Sequence, residues 1–67
     1  MTRQVYSVRV VTQGGTRFEL QYVARRAVDA VRAASRDVRA EGYKVAWAVW
    51  NGAKPLSECE QGGIRWV

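Results

Sequence analysis

The alternation of apolar and polar residues on either side of Gly14-Gly15 constrains this chain more than any other feature. Tyr6, Val8 and Val10 alternate with Ser7, Arg9 and Val11, and Phe18, Leu20 and Tyr22 alternate with Arg17, Glu19 and Gln21. Period two is the signature of half-buried strands, so residues 4–12 and 16–23 read as a β-hairpin. The same pattern sets the turn. A two-residue turn at Gly14-Gly15 would put Val10 opposite Glu19 and Arg9 opposite Leu20, which mixes faces. A three-residue loop, Gln13-Gly14-Gly15, pairs Val10 with Phe18, Val8 with Leu20 and Tyr6 with Tyr22, and sets Arg9 against Glu19 as a favourable cross-strand pair. A glycine then supplies positive φ at a bulge.

Residues 24–41 read as a helix. Ala24, Ala27, Val28, Val31, Ala34 and Val38 recur at three- and four-residue steps and form one apolar stripe. Its small residues let the helix lie close to a sheet, and Gly42 stands where a left-handed residue ends a helix. No Ser, Thr, Asp or Asn caps its start. Beyond it, Tyr43, Val45, Trp47 and Val49 alternate with Lys44, Ala46, Ala48 and Trp50, a strand over 43–50 whose first set faces the core. Asn51-Gly52 is the preferred dipeptide of a two-residue type I′ hairpin turn. Residues 54–59 would return as an edge strand, since Pro55 cannot donate to a ladder. Gly62-Gly63 reads as another turn, leading to a short last strand over 64–67. The expected fold class is α+β: an antiparallel sheet of three to five strands (hairpin, helix, meander) with one helix packed on one face, a single domain over 1–67.

At 67 residues and 48% hydrophobic composition, the chain has a folding composition but a thin core, burying roughly 60% of the surface its unfolded form exposes. No apolar run approaches the roughly 20 residues that span a bilayer, so no membrane partner is expected. Met1-Thr2-Arg3-Gln4 leads into a strand pattern without the apolar block of a signal peptide. One cysteine, Cys59, excludes an internal disulfide, which fits the reducing cytoplasm of a bacterial host.

Histidine is absent, which removes the usual general base and the usual zinc ligand. Glu58 and Glu60 fit solvated edge charges, and as neighbours of Cys59 they would suppress its thiolate. The paired glycines precede strand patterns rather than a helix, so no phosphate-cradling loop is present. The expectation is a non-enzymatic chain with no cofactor and no metal.

Two surfaces remain for binding. On the helix, Arg25, Arg32, Arg36 and Arg39 fall near one line, with only Asp29 among them. They form either a row of guanidinium forks for phosphate or carboxylate, or a solvated helix face in which Asp29 pairs with Arg25 and Arg32. On the sheet face away from the helix, Arg9, Arg17, Lys44 and Trp50 are expected together, a basic and aromatic combination suited to clamping a protein or stacking on bases. The plain alternative is that Trp50 covers the sheet locally. The net charge of +5, from 11 basic and 6 acidic residues, points to phosphate or an acidic surface. The predominance of Arg over Lys also fits the residue usage of a GC-rich genome.

The element order resembles that of small phage-encoded anti-CRISPR proteins, type I inhibitors in particular. The likeness is carried by the alternation Val5-Tyr6-Ser7-Val8-Arg9-Val10-Val11, the helix over 24–41, the turn Trp50-Asn51-Gly52-Ala53-Lys54-Pro55-Leu56, and the close Gly62-Gly63-Ile64-Arg65-Trp66-Val67. The resemblance implies a protein of a phage or mobile element that binds a host CRISPR surveillance complex and blocks its function. A basic chain would do this through an acidic protein surface or adjoining nucleic acid, not by imitating DNA. The alternatives are a small basic nucleic-acid-binding module or regulator, and a structural subunit that forms a homodimer through its open sheet face.

Overall fold

In a computed structural model describing residues 3–59 and 62–67, the hairpin takes the register that the alternation demands. β1 (Gln4–Thr12) and β2 (Arg17–Ala24) pair antiparallel, with Val10 opposite Phe18, Val8 opposite Leu20, Tyr6 opposite Tyr22 and Arg9 opposite Glu19. Gly15 has φ of 92°, the left-handed conformation expected of the bulge glycine. The buried Thr12 closes the loop, its side-chain oxygen accepting the Thr16 N–H at 3.0 Å.

The helix α1 (Ala27–Ala40) starts three residues later than its apolar pattern suggested, because Ala24 stays in β2 opposite Gln4 and is buried there. Asp29 in the first turn and Arg39 in the last complement the helix dipole. Gly42, at φ 96°, ends the helix. Its N–H bonds to the Arg39 carbonyl at 2.9 Å and the Tyr43 N–H to the Val38 carbonyl at 3.4 Å, the paired bonds of a Schellman motif.

The stripe facing the sheet is Ala30, Ala33, Ala34 and Val38, all 3% exposed or less, while Val28, expected in the core, is 43% exposed. Asp37 accounts for the rotation. It flanks this stripe, and the Tyr22 hydroxyl donates to its Oδ2 at 2.6 Å. Turning the helix to bury Val28 would carry Asp37 away from Tyr22, whose ring is a fully buried core side chain. Alanines on the sheet-facing side permit the close approach this bond needs.

The largest departure lies beyond the helix. β3 (Val45–Pro55) is one continuous strand, and Asn51-Gly52 makes no hairpin turn. β3 pairs antiparallel with β1 along its length, and two irregularities absorb the mismatch. Partners step from Ser7 with Gly52 to Val8 with Trp50, passing over Asn51, and from Val11 with Trp47 to Thr12 with Val45, passing over Ala46. Asn51-Gly52 is thus used as a bulge. Residues expected to return as a strand instead form a short 3-10 turn, Leu56–Glu58, after Pro55 closes the edge strand.

A two-residue strand, β4 (Arg65–Trp66), pairs parallel with Tyr22 and Val23. The sheet is therefore mixed, mostly antiparallel, in the order β3-β1-β2-β4, with α1 against one face. Arg65 donates to Asp37 Oδ2 at 3.1 Å and so ties β4 to the helix. The core comprises Val8, Val10, Tyr22, Ala24 and the helix stripe, with Tyr6, Phe18, Leu20, Val31, Val45 and Ala48 packed against it. No helix among the described residues is long and apolar enough to cross a membrane.

The Tyr22–Asp37–Arg65 cluster makes stability depend on pH at both ends. The Tyr22 hydroxyl foremost, with Arg65 and Arg36, holds the Asp37 carboxyl below the usual carboxylate range. Its contribution is present above about pH 3.9 and is lost as pH falls through the lowered value. Burial, then Asp37, pushes the Tyr22 hydroxyl up to about 12, so its contribution is full below about pH 10 and is lost as pH rises through the folded value. Tyr22→Phe should cost about 1.5–3 kcal/mol at neutral pH and remove this residue's share of the alkaline loss. Urea melts of both proteins across pH check it, and equal stability at neutral pH would refute the clamp.

Candidate functional site

Residues opposite one another across a sheet share a face, so the registers place every strand side chain. Val8 and Val10 point to the helix; their partners Trp50 and Ala48 do the same. Arg9 and Val11 point to the other face, together with Val49 and Trp47. Trp50, expected on the open face, therefore lies on the helix side at the sheet edge. There its ring meets Tyr6 in an edge-on contact, with centroids 6.1 Å apart and planes at 83°. Trp47, expected in the core, is the open-face tryptophan and is 49% exposed. The cause is the bulge at Ala46, which shifts the phase of β3 by one residue after Val45. Trp47 and Trp50 have opposite parity, so an unbroken strand through both turns one of them outward; the sequence carries no signal for which.

The open face is only partly open. Val5 and Val23 are cross-strand partners on this side and yet are 2% and 0% exposed. β3 and β4 lie at opposite edges of the sheet, and Gly62 and Gly63 share a shallow cleft with Ser7, Glu19 and Gln21. That places Gly62 and Gly63 over this end of the face. Glu60, read above as an edge charge, lies outside the described residues, as do Met1 and Thr2.

What remains exposed is a patch of two adjacent rows. One runs Arg17–Val11–Trp47 and the other Glu19–Arg9–Val49, each crossing β2, β1 and β3. Val49 is 44% exposed. Arg9 Nε donates to Glu19 Oε1 at 2.6 Å, so that pair is locally neutral, and Arg17 is the patch's cation with no ion pair among the described residues. Lys44 precedes β3 and is exposed, and its carbonyl accepts the Gln13 N–H at 2.8 Å. Of the expected site residues, Arg9 and Arg17 therefore share the patch. Trp47, Val49 and Val11 belong to it and were not foreseen.

The helix row is shorter than expected. Arg25 lies in the bend before α1, not on it. Arg26 forms the ion pair with Asp29, at 3.1 Å, in place of Arg25 or Arg32. Arg32, Arg36 and Arg39 are exposed on α1, and Arg36 is 3.3 Å from Asp37. These guanidinium groups lie on the side of the sheet opposite Trp47, so the two surfaces cannot form one site.

The described residues hold no group of three or more His, Cys, Asp or Glu able to share a metal. Cys59 is half-buried and its Sγ lies 3.6 Å from the Pro55 carbonyl. A cleft of about 250 Å³ between α1 and β2 is lined by Phe18, Leu20, Asp37, Val38, Tyr43 and Arg65. It falls below the usual range of ligand cavities, and two of its ionic groups, Asp37 and Arg65, pair with each other. No protein-family model, curated protein or solved structure matches this chain.

Trp47, Trp50 and Trp66 are 49%, 48% and 56% exposed, which is unusual for so large an apolar side chain. In dilute solution the folded protein should emit near the wavelength of indole in water and be quenched by acrylamide along a single line. A blue-shifted, quench-resistant component would mean that a tryptophan is buried.

Proposed function

We propose that this chain is a non-catalytic binding protein and that the patch around Trp47 seats an acidic surface of a protein partner. The observation that carries the reading is the half-exposed Trp47 between Val11 and Val49, with Arg17 and the Arg9–Glu19 pair in the same two rows. A rigid sheet holds these side chains without ordering a loop on binding, and tryptophan with neighbouring arginine is the commonest composition of an interface hot spot. The helix arginines offer charge alone, which mainly steers encounter and is screened by salt.

The resemblance to type I anti-CRISPR inhibitors nominates a subunit of a CRISPR surveillance complex as the first partner to try. The resemblance draws on the hairpin, the helix and a turn at Asn51-Gly52, and that dipeptide lies within a continuous strand. What it lends to this reading is therefore a class of partner and no site residues. A basic nucleic-acid module is the second reading, favoured by the exposed Arg32, Arg36 and Arg39.

Capture from bacterial lysate with and without nuclease, followed by titration of the captured partner at rising salt, separates the two. Trp47→Ala should weaken binding by about 2 kcal/mol or more, roughly thirtyfold, and should do so more than Arg32→Ala with Arg36→Ala. Capture should survive nuclease. Loss of binding in the double arginine variant, with Trp47→Ala retained and a steep salt dependence, would make the helix the functional face and a nucleic acid the partner.

A further inference from the structure

The sheet order makes β3 an edge strand, and Val45-Ala46-Trp47-Ala48-Val49-Trp50 within it carries no charge and no proline. Natural edges are usually blunted by lysine, proline, charge or brevity, because their unpaired backbone invites another strand. Here the lysines stand outside the stretch, at positions 44 and 54, and the only proline closes the strand.

The ladder shows which backbone groups are unpaired. The Gln13 N–H bonds to the Lys44 carbonyl, and the Val23 carbonyl turns away from β1 to accept the Val67 N–H. The odd-numbered residues of β1 therefore direct their N–H and C=O groups toward β3, as antiparallel alternation requires. Trp47 and Val49, opposite Val11 and Arg9, use their backbone groups on β1. Ala48 and Trp50 direct theirs outward, where no described residue meets them. The side chains of Trp47 and Val49 flank this edge on one face and that of Trp50 on the other, each 44% exposed or more.

We propose that this edge pairs with the same edge of a second copy, antiparallel about a two-fold axis at Ala48. Only registers that match outward groups with outward groups are allowed. Centring on Ala48 bonds Ala48 to Ala48, sets Trp47 against the second copy's Val49 on the open face, and places Ala46 opposite Trp50 and Lys44 opposite Gly52. Centring on Val49 instead would set Lys44 directly against Lys54, a like-charge pair that disfavours it. The bulges at Ala46 and Asn51 end the regular stretch on both sides, so the paired length is short. An interface of that length belongs with the small, weak contacts below about 1,200 Å², so the dimer forms only as concentration rises. The pairing uses the backbone of β3 and does not rest on the patch around Trp47 being a docking site.

Sedimentation velocity and amide hydrogen exchange on the full chain, over a series from dilute to near-millimolar concentration, test the proposal. The mass should rise from one chain to two. The Ala48 and Trp50 amides should gain at least tenfold protection over the same range, while the Trp47 and Val49 amides stay protected throughout. Ala46→Lys, at an exposed position outside the core, should raise the dissociation constant at least tenfold and leave thermal unfolding of the dilute protein unchanged. A single-chain mass across the whole series overturns the proposal. So does a dimer in which the Ala48 and Trp50 amides exchange as fast as in dilute solution, since its interface would lie elsewhere.

Discussion

β1 carries the sheet. It pairs with β2 on one side and with β3 along nearly its whole length on the other, and what each face presents follows from how β3 meets it. At Ala46 the ladder passes over one residue, and beyond that point Ala48 points to the helix and Trp47 away from it. The reason is packing. The helix approaches the sheet through alanines, and the space beneath it suits Val45 and Ala48. An indole of Trp47 in that layer would hold the helix off and separate Tyr22 from Asp37. Excluding one large side chain from a thin core thus creates the exposed patch that the proposed function uses.

The Tyr22–Asp37–Arg65 cluster has a large share in so small a domain. A chain of this size has a net stability of only a few kcal/mol, and a hydrogen bond to a charged group contributes about 1.5–3 kcal/mol. The bond fixes the rotation of α1, while Arg65 attaches a β4 that has only two residues in the sheet. The exposed ion pairs differ in kind. Arg9 with Glu19 lies on solvent-facing sheet, and Arg26 with Asp29 at the surface of the helix, where such pairs contribute little.

The register of the hairpin was legible in the sequence, because two alternating segments around one loop admit a single pairing that keeps Tyr6, Val8, Val10, Phe18, Leu20 and Tyr22 on one side. The end of the helix was legible for a similar local reason: Gly42 has one role available to it. The path beyond the helix was not. Asn51-Gly52 is as compatible with a bulge as with a turn, and the choice depends on β1 offering a long partner edge, a nonlocal condition that no window of sequence contains. The missed bulge at Ala46 then exchanged the faces assigned to Trp47 and Trp50. The basic part of the patch, Arg9 and Arg17, was found because it lies on the hairpin, and its aromatic part was missed because it lies on β3. Arg25 was misplaced because the pairing of Ala24 with Gln4 delays the start of the helix.

A thin core, an aromatic placed outside it by a bulge, and arginines on the adjoining strands together support a binding role for the open face. That account stands on the orientation of two side chains, and nuclear Overhauser contacts from the tryptophan indoles in the dilute protein measure it most directly. The account predicts contacts from the Trp50 ring to Tyr6, and contacts from Trp47 confined to its open-face neighbours. Contacts from Trp47 to Ala34 or Val38 on the helix would place it in the core, remove the bulge at Ala46 and contradict the account.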